Sequence, residues 1–286
     1  MKKILVTGAN GQLGKELRDV VQRFPQFEFL FLSREDLPIH HFELVRNTFT
    51  AFRPDYCINC AAYTAVDKAE AEKELAYIVN AESVGILAAV THAMHCKFIH
   101  ISTDYVYDGE KHGEHDESDV PNPISVYGLS KLAGEQAAFD NNSDTMIIRT
   151  SWVYSQYGHN FVKTMLRLMK EKPSISVVND QYGSPTWAAD LASFIMQVIE
   201  HPQWIPGVYN FSNDGNITWY EFAEEIKKLI QSNCEINAIP TAGYPTPAKR
   251  PANSLMNKSK IKSVFAYTPV DWHASLAACI KQLEDK

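Results

Sequence analysis

The sequence has no excess of basic residues and no long run of one charge: 27 Lys and Arg stand against 34 Asp and Glu, a formal net charge of -7 at pH 7. That excludes the electrostatic footprint of a nucleic-acid-binding surface, so no DNA or RNA partner is expected. No segment approaches the roughly 18 to 20 uninterrupted apolar residues of a membrane span. The N-terminal MKKILVTGAN is apolar for three residues and stops at Thr7-Gly8, short of a secretory leader. The expected compartment is therefore the cytoplasm, with no membrane partner. Cysteine is scarce: Cys57, Cys60, Cys96, Cys234 and Cys279 are an odd, scattered set, the pattern of reduced thiols. Cys57 and Cys60 make a CxxC, but DYCINCAAY reads as a buried strand, where positions three apart face opposite sides. That geometry disfavours a metal or redox pair. His40, His41, His92 and His95 have no cysteine or acidic partner at a metal-like interval, so no metal site is expected. Internal repeats and low-complexity tracts are absent.

What is present is a repeated pairing of short apolar runs with helix-period segments over residues 3 to 102, the signature of β-α units feeding a parallel sheet. ILV at 4 to 6 is unbroken apolar, as in a strand covered on both faces. Leu13, Leu17, Val20, Val21 and Phe24 then share one helical face. FEFLFL at 27 to 32, YCINCAA at 56 to 62 and KFIHIS at 97 to 102 read as further strands, and ELVRNTFTAF as a helix. The alanine-rich stretch from Ala65 to His95, interrupted by VNAES, fits two consecutive helices. From Asp104 to Ser125 two glycines and two prolines stand among polar residues with no period, a long loop of the kind that is functional or disordered. A helix over 126 to 139 and a strand at 145 to 150 follow. Beyond Trp152 the pattern loosens: helices around 161 to 172 and 187 to 200, ISVV, GVYNF, a Thr218/Glu221 capping box, an irregular YPTPAKRPANS and a last helix from Trp272. With 286 residues the chain has room for one large or two modest domains. The fold expected is α/β, a doubly wound Rossmann-type parallel sheet over residues 1 to 152 with a smaller C-terminal substrate-binding lobe over 153 to 286, some later segments returning to the sheet.

TGANGQLG puts Gly8, Gly11 and Gly14 between the first strand and the first helix. Glycines there allow a tight turn, close approach of backbone to a pyrophosphate, and close packing of helix on strand, while the helix N-terminus supplies free N-H groups. In that context the turn points to a dinucleotide. An acidic residue ending the second strand would bind the ribose 2'-hydroxyl. This chain has Ser33 and Arg34, a hydroxyl and a guanidinium suited to a 2'-phosphate, which favours NADPH while leaving NADH open. The alternative is that Arg34 is a solvated arginine diluted by Glu35 and Asp36.

SVYGLSK sets Tyr127 and Lys131 four residues apart on one face of a starting helix. A neighbouring ammonium lowers a tyrosine's pKa toward the range useful for acid-base work, although such pairs also occur on surface helices. The strand end ISTDYVY adds Thr103, whose hydroxyl can reach a carbonyl oxygen in the crevice.

Gly8-x-x-Gly11-x-x-Gly14, Thr103 and Tyr127-x-x-x-Lys131 together resemble the extended short-chain dehydrogenase/reductases, the group of nucleotide-sugar epimerases, dehydratases and reductases. GQLG, CAAYTAVDKAE, ISTDYVYDG, VYGLSKLAGE, RTSWVY, NDQYGSPT and YPTPAKRPANS look like the dTDP-sugar 4-keto reductases within it, over nearly the whole chain. The resemblance implies that Tyr127 is the catalytic acid, that Lys131 binds the nicotinamide ribose and holds the tyrosine's pKa down, and that Thr103 polarises the ketone. It also implies substrate contacts at Asp104, Tyr105 and Trp152, the last otherwise readable as a core tryptophan. Cofactor contacts are implied at Gly11, Gln12 and Leu13, and at Ala61, Ala62, Tyr63 and Thr64. The chain departs from the group at Ser33, often acidic, and at Leu37-Pro38-Ile39, which bears on the NADPH/NADH preference. Some members dimerise through magnesium held by glutamates. Glu16 matches one such position but another falls on Ala189, beside Asp190, so a homodimer is admitted, the metal is not expected, and Glu16 reads as a solvated first-turn glutamate. Rival readings are a 4-epimerase of the same fold and a non-catalytic regulatory subunit like that of methionine adenosyltransferase.

Overall fold

Short, unbroken apolar strands become the centre of this protein because both their faces are covered by helices. The computed structural model describes residues 1–285. Strands β1 (Lys2–Thr7), β2 (Phe27–Leu32), β3 (Tyr56–Asn59), β4 (Lys97–Thr103), β5 (Thr145–Thr150) and β6 (Gly207–Phe211) form one parallel sheet in the order β2-β1-β3-β4-β5-β6. Side chains alternate between its faces. Ile4, Val6, Ile58, Ile99 and Met146 belong to one core, whereas Leu5, Cys57, Phe98 and Ile147 belong to the other.

The helices are α1 (Gln12–Val20), α2 (Phe42–Phe52), α3 (Ser83–Ala93), α4 (Val126–Asn141) and α5 (Phe161–Glu171), followed by α6 (Ala188–Glu200), α7 (Trp219–Leu229), α8 (Ser259–Phe265) and α9 (Trp272–Glu284). Leu13 and Leu17 of α1, Leu191 and Ile195 of α6, and Ile261 of α8 cover the first face. Val45 of α2, Leu87 of α3 and Ala138 of α4 cover the second. Cys57 and Cys60 accordingly fall on opposite sides of the sheet.

The polar VNAES stretch does not separate two helices. The two helices of this stretch are instead a short one at Val66–Ala69 and one continuous helical run, Lys73–Ala93, in which Ile78–Glu82 form a π turn. Asn80 explains it: its side chain accepts from Tyr63 N at 2.8 Å and donates to Tyr63 O and to Ser130 Oγ, both at 3.0 Å. The wide turn aims that side chain inward without ending the helix, a common use of π-bulges. The run is long and apolar enough to cross a membrane by composition, but half of its most apolar window is buried inside this fold.

Beyond β5 the chain builds a third core from Met165 of α5, Phe222 and Ile226 of α7 and Leu276 of α9, beside a parallel pair of strands, Ser174–Val178 and Glu235–Ile239. The capping box of α7 is formed, with Glu221 N donating to Thr218 Oγ1 at 3.2 Å and Thr218 N to Glu221 Oε2 at 2.7 Å. After a 3-10 turn at Asp104–Val106, the loop that follows β4 is tied to the C-terminal tail. His115 N donates to Leu255 O, Asn257 N to His115 O, and Asn253 Nδ2 to the carbonyls of Lys111 and Gly113.

A buried ion pair joins these parts. Arg149 of β5 donates to both oxygens of Glu135 on α4, at 2.9 and 2.6 Å, while Ser102 Oγ donates to Glu135 at 2.5 Å and Arg149 donates to Tyr107 OH at 2.8 Å. Removing one member strands the other's charge in a dry interior. Glu135→Ala should therefore lose about 3–5 kcal/mol of stability, read from urea unfolding; a loss below about 1 kcal/mol would place the pair among ordinary surface bridges.

Candidate active site

The chain runs from β1 outward to β2 and then crosses back to β3, so a crevice opens above the C-terminal ends of β1 and β3, where the direction of winding changes. Gly8 follows β1 with φ 66°, and a Cβ there would lie 2.5 Å from Ala61 N. Gly14 sits one turn into α1, where a Cβ would lie 2.6 Å from Gly8 O. Neither position has room for a side chain. The N-cap of α1 is Gly11, with no side-chain cap and no acidic residue in the first turn, so its N-H groups are open to an anion.

This turn is one wall of a cavity of about 680 Å³. Gly8, Gly11, Arg34, Ala61, Ala62 and Tyr63 line it, and Asn10 joins them. Gly14 stands behind the turn. Leu13 is in the core, Gln12 accepts from Asn160 Nδ2 at 2.9 Å, and neither these two nor Thr64 lines the cavity. Arg34 is exposed at its rim. Ser33 instead donates to Glu35 at 2.8 Å, while Ser33 N donates to Asp36 at 2.9 Å. Those bonds hold both carboxyls below their usual pKa, so two negative charges flank the guanidinium. Much of the remaining lining is apolar, with His40, Lys68 and Glu72 beside Leu37, Pro38, Ile39, Leu75, Ile78 and Val79. Sequence reasoning missed the last three, which come from the π-turned helix; the only signal was the apolar Leu37-Pro38-Ile39 after a charged turn. The glycine cradle and the uncapped helix end suit a pyrophosphate, and the apolar lining suits an adenine.

Thr103 is the last residue of β4. Tyr127 and Lys131 lie in the first turns of α4, whose N-cap Ser125 accepts from Gly128 N at 3.2 Å. Tyr127 is half-buried, its ring edge-on to Tyr105 with centroids 5.5 Å apart. Burial pushes its phenol up to about 12, opposed by a hydrogen bond with Thr103 and reinforced by the charge of Asp104. The lysine does not lower it. Lys131 is turned to the sheet, donating to Ile101 O at 2.7 Å with its Nζ 3.2 Å from His100 Nε2, so the expected coupling between lysine and tyrosine is absent in this conformation. Burial lowers Lys131 itself to about 8, opposed by the charge of Glu135.

Asp104 is 2% exposed. Its Oδ1 accepts from Thr103 Oγ1 at 3.0 Å, and its Oδ2 makes no hydrogen bond. Burial raises its pKa to about 6, with the hydroxyls of Ser254 and Thr103 easing the charge.

Trp152 has φ 47°, a strained backbone for an aromatic residue, and stacks on Trp219 with centroids 3.6 Å apart. Trp219 in turn lines a second cavity of about 700 Å³ together with Phe161, Gln181, Tyr244 and Arg250. Arg250 is held by Asp67, at 3.1 and 2.8 Å. The tail segment YPTPAKRPANS thus reaches the site, although nothing in its composition announced that Tyr244 and Arg250 would line a cavity. Glu16 is not solvated: it is 2% exposed and accepts from Ser155 Oγ at 2.6 Å, because the chain after Trp152 folds over α1. Asp190 accepts from Asn213 and Ser275.

A glycine turn at a topological switch point, with threonine, tyrosine and lysine on the adjacent strand end and helix, defines the class as short-chain dehydrogenase/reductase. The family model described as RmlD substrate binding domain matches residues 1–285. A dTDP-4-dehydrorhamnose reductase of Aggregatibacter actinomycetemcomitans is 41% identical over 96% of this chain and 97% of that protein. The spore coat polysaccharide biosynthesis protein SpsK of Bacillus subtilis is 38% identical over 99% and 98%. The crystal structure of the Bacillus anthracis dTDP-4-dehydrorhamnose reductase in complex with NADP matches with TM-score 0.95 at 37% identity, covering 99% of this chain and 100% of that one. The chain belongs to the dTDP-4-dehydrorhamnose reductase family.

The raised pKa of Asp104 has a stability consequence with a definite sign. The folded protein holds this proton more tightly than the unfolded chain, so stability is full below about pH 4 and is lost as pH rises through about 6. Asp104→Asn should therefore match the wild type near pH 4 and exceed it by about 3 kcal/mol at pH 7.5, measured by denaturant melts at both values. An equal difference at the two pH values would show that burial of the charge is not the cause.

Proposed function

We propose that this protein reduces the 4-keto group of dTDP-4-dehydro-L-rhamnose to dTDP-L-rhamnose with NADPH, the last step of dTDP-rhamnose biosynthesis. The observation that carries the reading is the placement of Tyr127, at the start of α4, against Tyr105 just beyond Thr103 at the end of β4, two strands from the glycine turn. Membership of the reductase family and the NADP in the Bacillus anthracis structure support the reaction and the cofactor.

The turn Gly8–Gly14 and the end of α1 would hold the pyrophosphate, Leu37 to Ile39 and Val79 the adenine, and Arg34 the 2'-phosphate. With Glu35 and Asp36 alongside, NADH would be accepted as the weaker alternative. Bound there, NADPH supplies the hydride. Tyr127, with its phenol near 12, is protonated throughout the physiological range and so is ready as an acid. Its proton goes to the sugar oxygen, which is far more basic as an alkoxide than as a ketone. Thr103 Oγ1 now donates to Asp104; turned to the ketone, it would polarise the same oxygen. The unpaired Asp104 Oδ2 would accept from a hydroxyl of the sugar, ending its isolation. Residues 153 to 286 would mainly form the nucleotide-sugar lobe, with Trp152, Trp219 and Tyr244 flanking sugar and base.

Stoichiometric oxidation of NADPH, followed with the keto-sugar generated in place, tests this reading. A 4-epimerase would recycle its hydride and consume none, and a regulatory subunit would give no turnover. Tyr127→Phe should reduce kcat by about 10²–10⁴ while NADPH still binds by fluorescence titration; turnover like the wild type would remove Tyr127 from the mechanism. Arg34→Ala should weaken NADPH by about tenfold or more with little change for NADH, and equal losses for both would assign the 2'-phosphate elsewhere.

A further inference from the structure

The face of the sheet beneath α4 carries a row of polar side chains set by strand register: Thr7 pairs with Asn59 and Asn59 with His100. All three are buried, and Lys131 completes the row. Thr7 Oγ1 lies 2.6 Å from Asn59 Oδ1, Asn59 Nδ2 lies 3.0 Å from His100 Nδ1, and His100 Nε2 lies 3.2 Å from Lys131 Nζ.

The row has one consistent set of protons. Asn59 Oδ1 also accepts from Ala61 N at 3.2 Å, and a backbone N-H can only donate, so this atom is the amide oxygen. The amide nitrogen therefore faces His100 and donates to Nδ1. An imidazole that accepts at Nδ1 carries its hydrogen on Nε2, and that hydrogen points at Lys131 Nζ. An ammonium has no lone pair to receive it. A neutral amine does, and can still donate to Ile101 O at 2.7 Å.

We propose that His100 is a positioning residue for Lys131: with its tautomer locked by Asn59, it accepts Lys131 against the sheet only as a neutral amine, and protonation of the amine turns the side chain out toward Tyr127 and the cofactor ribose. This rests on the reading of Lys131 as the ribose-binding lysine. Charge and position then change together. Parked on His100, the lysine leaves Tyr127 unassisted; released, it brings the positive charge that a forming phenolate requires. Of the groups around Lys131, Glu135 on the same helix favours the ammonium but is shared with Arg149 from β5, and His100 from β4 is held neutral by burial. The Ile78–Glu82 turn against α4 contributes Asn80 to Ser130, which adds no charge.

Two measurements on the full chain test this. Nitrogen NMR of histidine-labelled protein should find His100 as the neutral Nε2-H tautomer at every value between about pH 5.5 and 9; an Nδ1-H tautomer, or protonation within that range, overturns the proposal. NADPH affinity, titrated by fluorescence without any sugar, should fall as pH rises through about 8 in the wild type. The fall should move up by about one pH unit in His100→Phe, which removes the opposing N-H, and vanish in Lys131→Met. Identical midpoints in wild type and His100→Phe, or a fall that persists in Lys131→Met, also overturn it. Should His100→Phe not fold, the tautomer measurement decides. Because no keto-sugar is used, failure of these titrations is distinct from failure of the reductase reading, which only NADPH oxidation decides.

Discussion

The backbone of Gly8 lies against that of Cys60 and Ala61 with no space for a side chain between them, and the layout of the site follows from that contact. It brings the ends of β1 and β3 together at the point where the winding reverses, so the crevice has a floor made of main chain. Main chain on the floor leaves the N-H groups of the α1 terminus as the nearest donors, a surface suited to phosphate and indifferent to side-chain identity. Because all six strands run the same way, β4 delivers Thr103 to the same edge. The helix that leaves the following loop then lays Tyr127 beside it. Loosening the first contact would displace the glycine turn and the start of α4 together.

Behind this rim the interior is less apolar than its strands suggest. Asn59, His100 and Lys131 occupy one face, and Ser102, Glu135 and Arg149 form a second cluster. The two clusters differ in kind. In the second each carboxylate oxygen meets a donor and the guanidinium is held on both sides, which makes a rigid brace between α4 and the sheet. In the first, the lysine has a donor opposite it, and at the rim Asp104 Oδ2 has no partner. Rigidity is concentrated where α4 must be fixed, and unsatisfied polarity where a ligand is to arrive, a division typical of functional sites.

What the sequence disclosed was what is local. ILV became a central strand because an unbroken apolar run can only be buried on both faces, and the apolar-rich FEFLFL and KFIHIS joined the same sheet. The glycine turn, the capping box of Thr218 and Glu221, and the shared start of Tyr127 and Lys131 in one helix are likewise set by near neighbours. What it concealed is decided at long range. VNAES looks like a helix break, and becomes a π turn because Asn80 finds Tyr63 and Ser130. Lys131 looks like a partner for Tyr127, but its contacts, His100 and Ile101 O on β4, lie some thirty residues away. Glu16 has the spacing of a solvated residue and is buried by Ser155, 139 positions later. The cavity walls supplied by Trp219, Tyr244 and Arg250 follow from a chain path that no periodicity encodes.

The path of the chain also bears on how the protein is made. The edge strand β6 and the helix α6 that covers Ile4, Met146 and Ile148 arrive only with residues 188–211, and the tail that ties down the loop after β4 comes later still, at Asn253 to Asn257. During synthesis residues 1 to 150 therefore leave the ribosome with one face of the sheet covered by α1 alone. That face stays so while roughly forty further residues are added, a matter of seconds at about 5–20 residues per second. The last contacts to form are those between the tail and the loop after β4, so an incomplete chain would hold the crevice above β1 and β3 before its far side was closed.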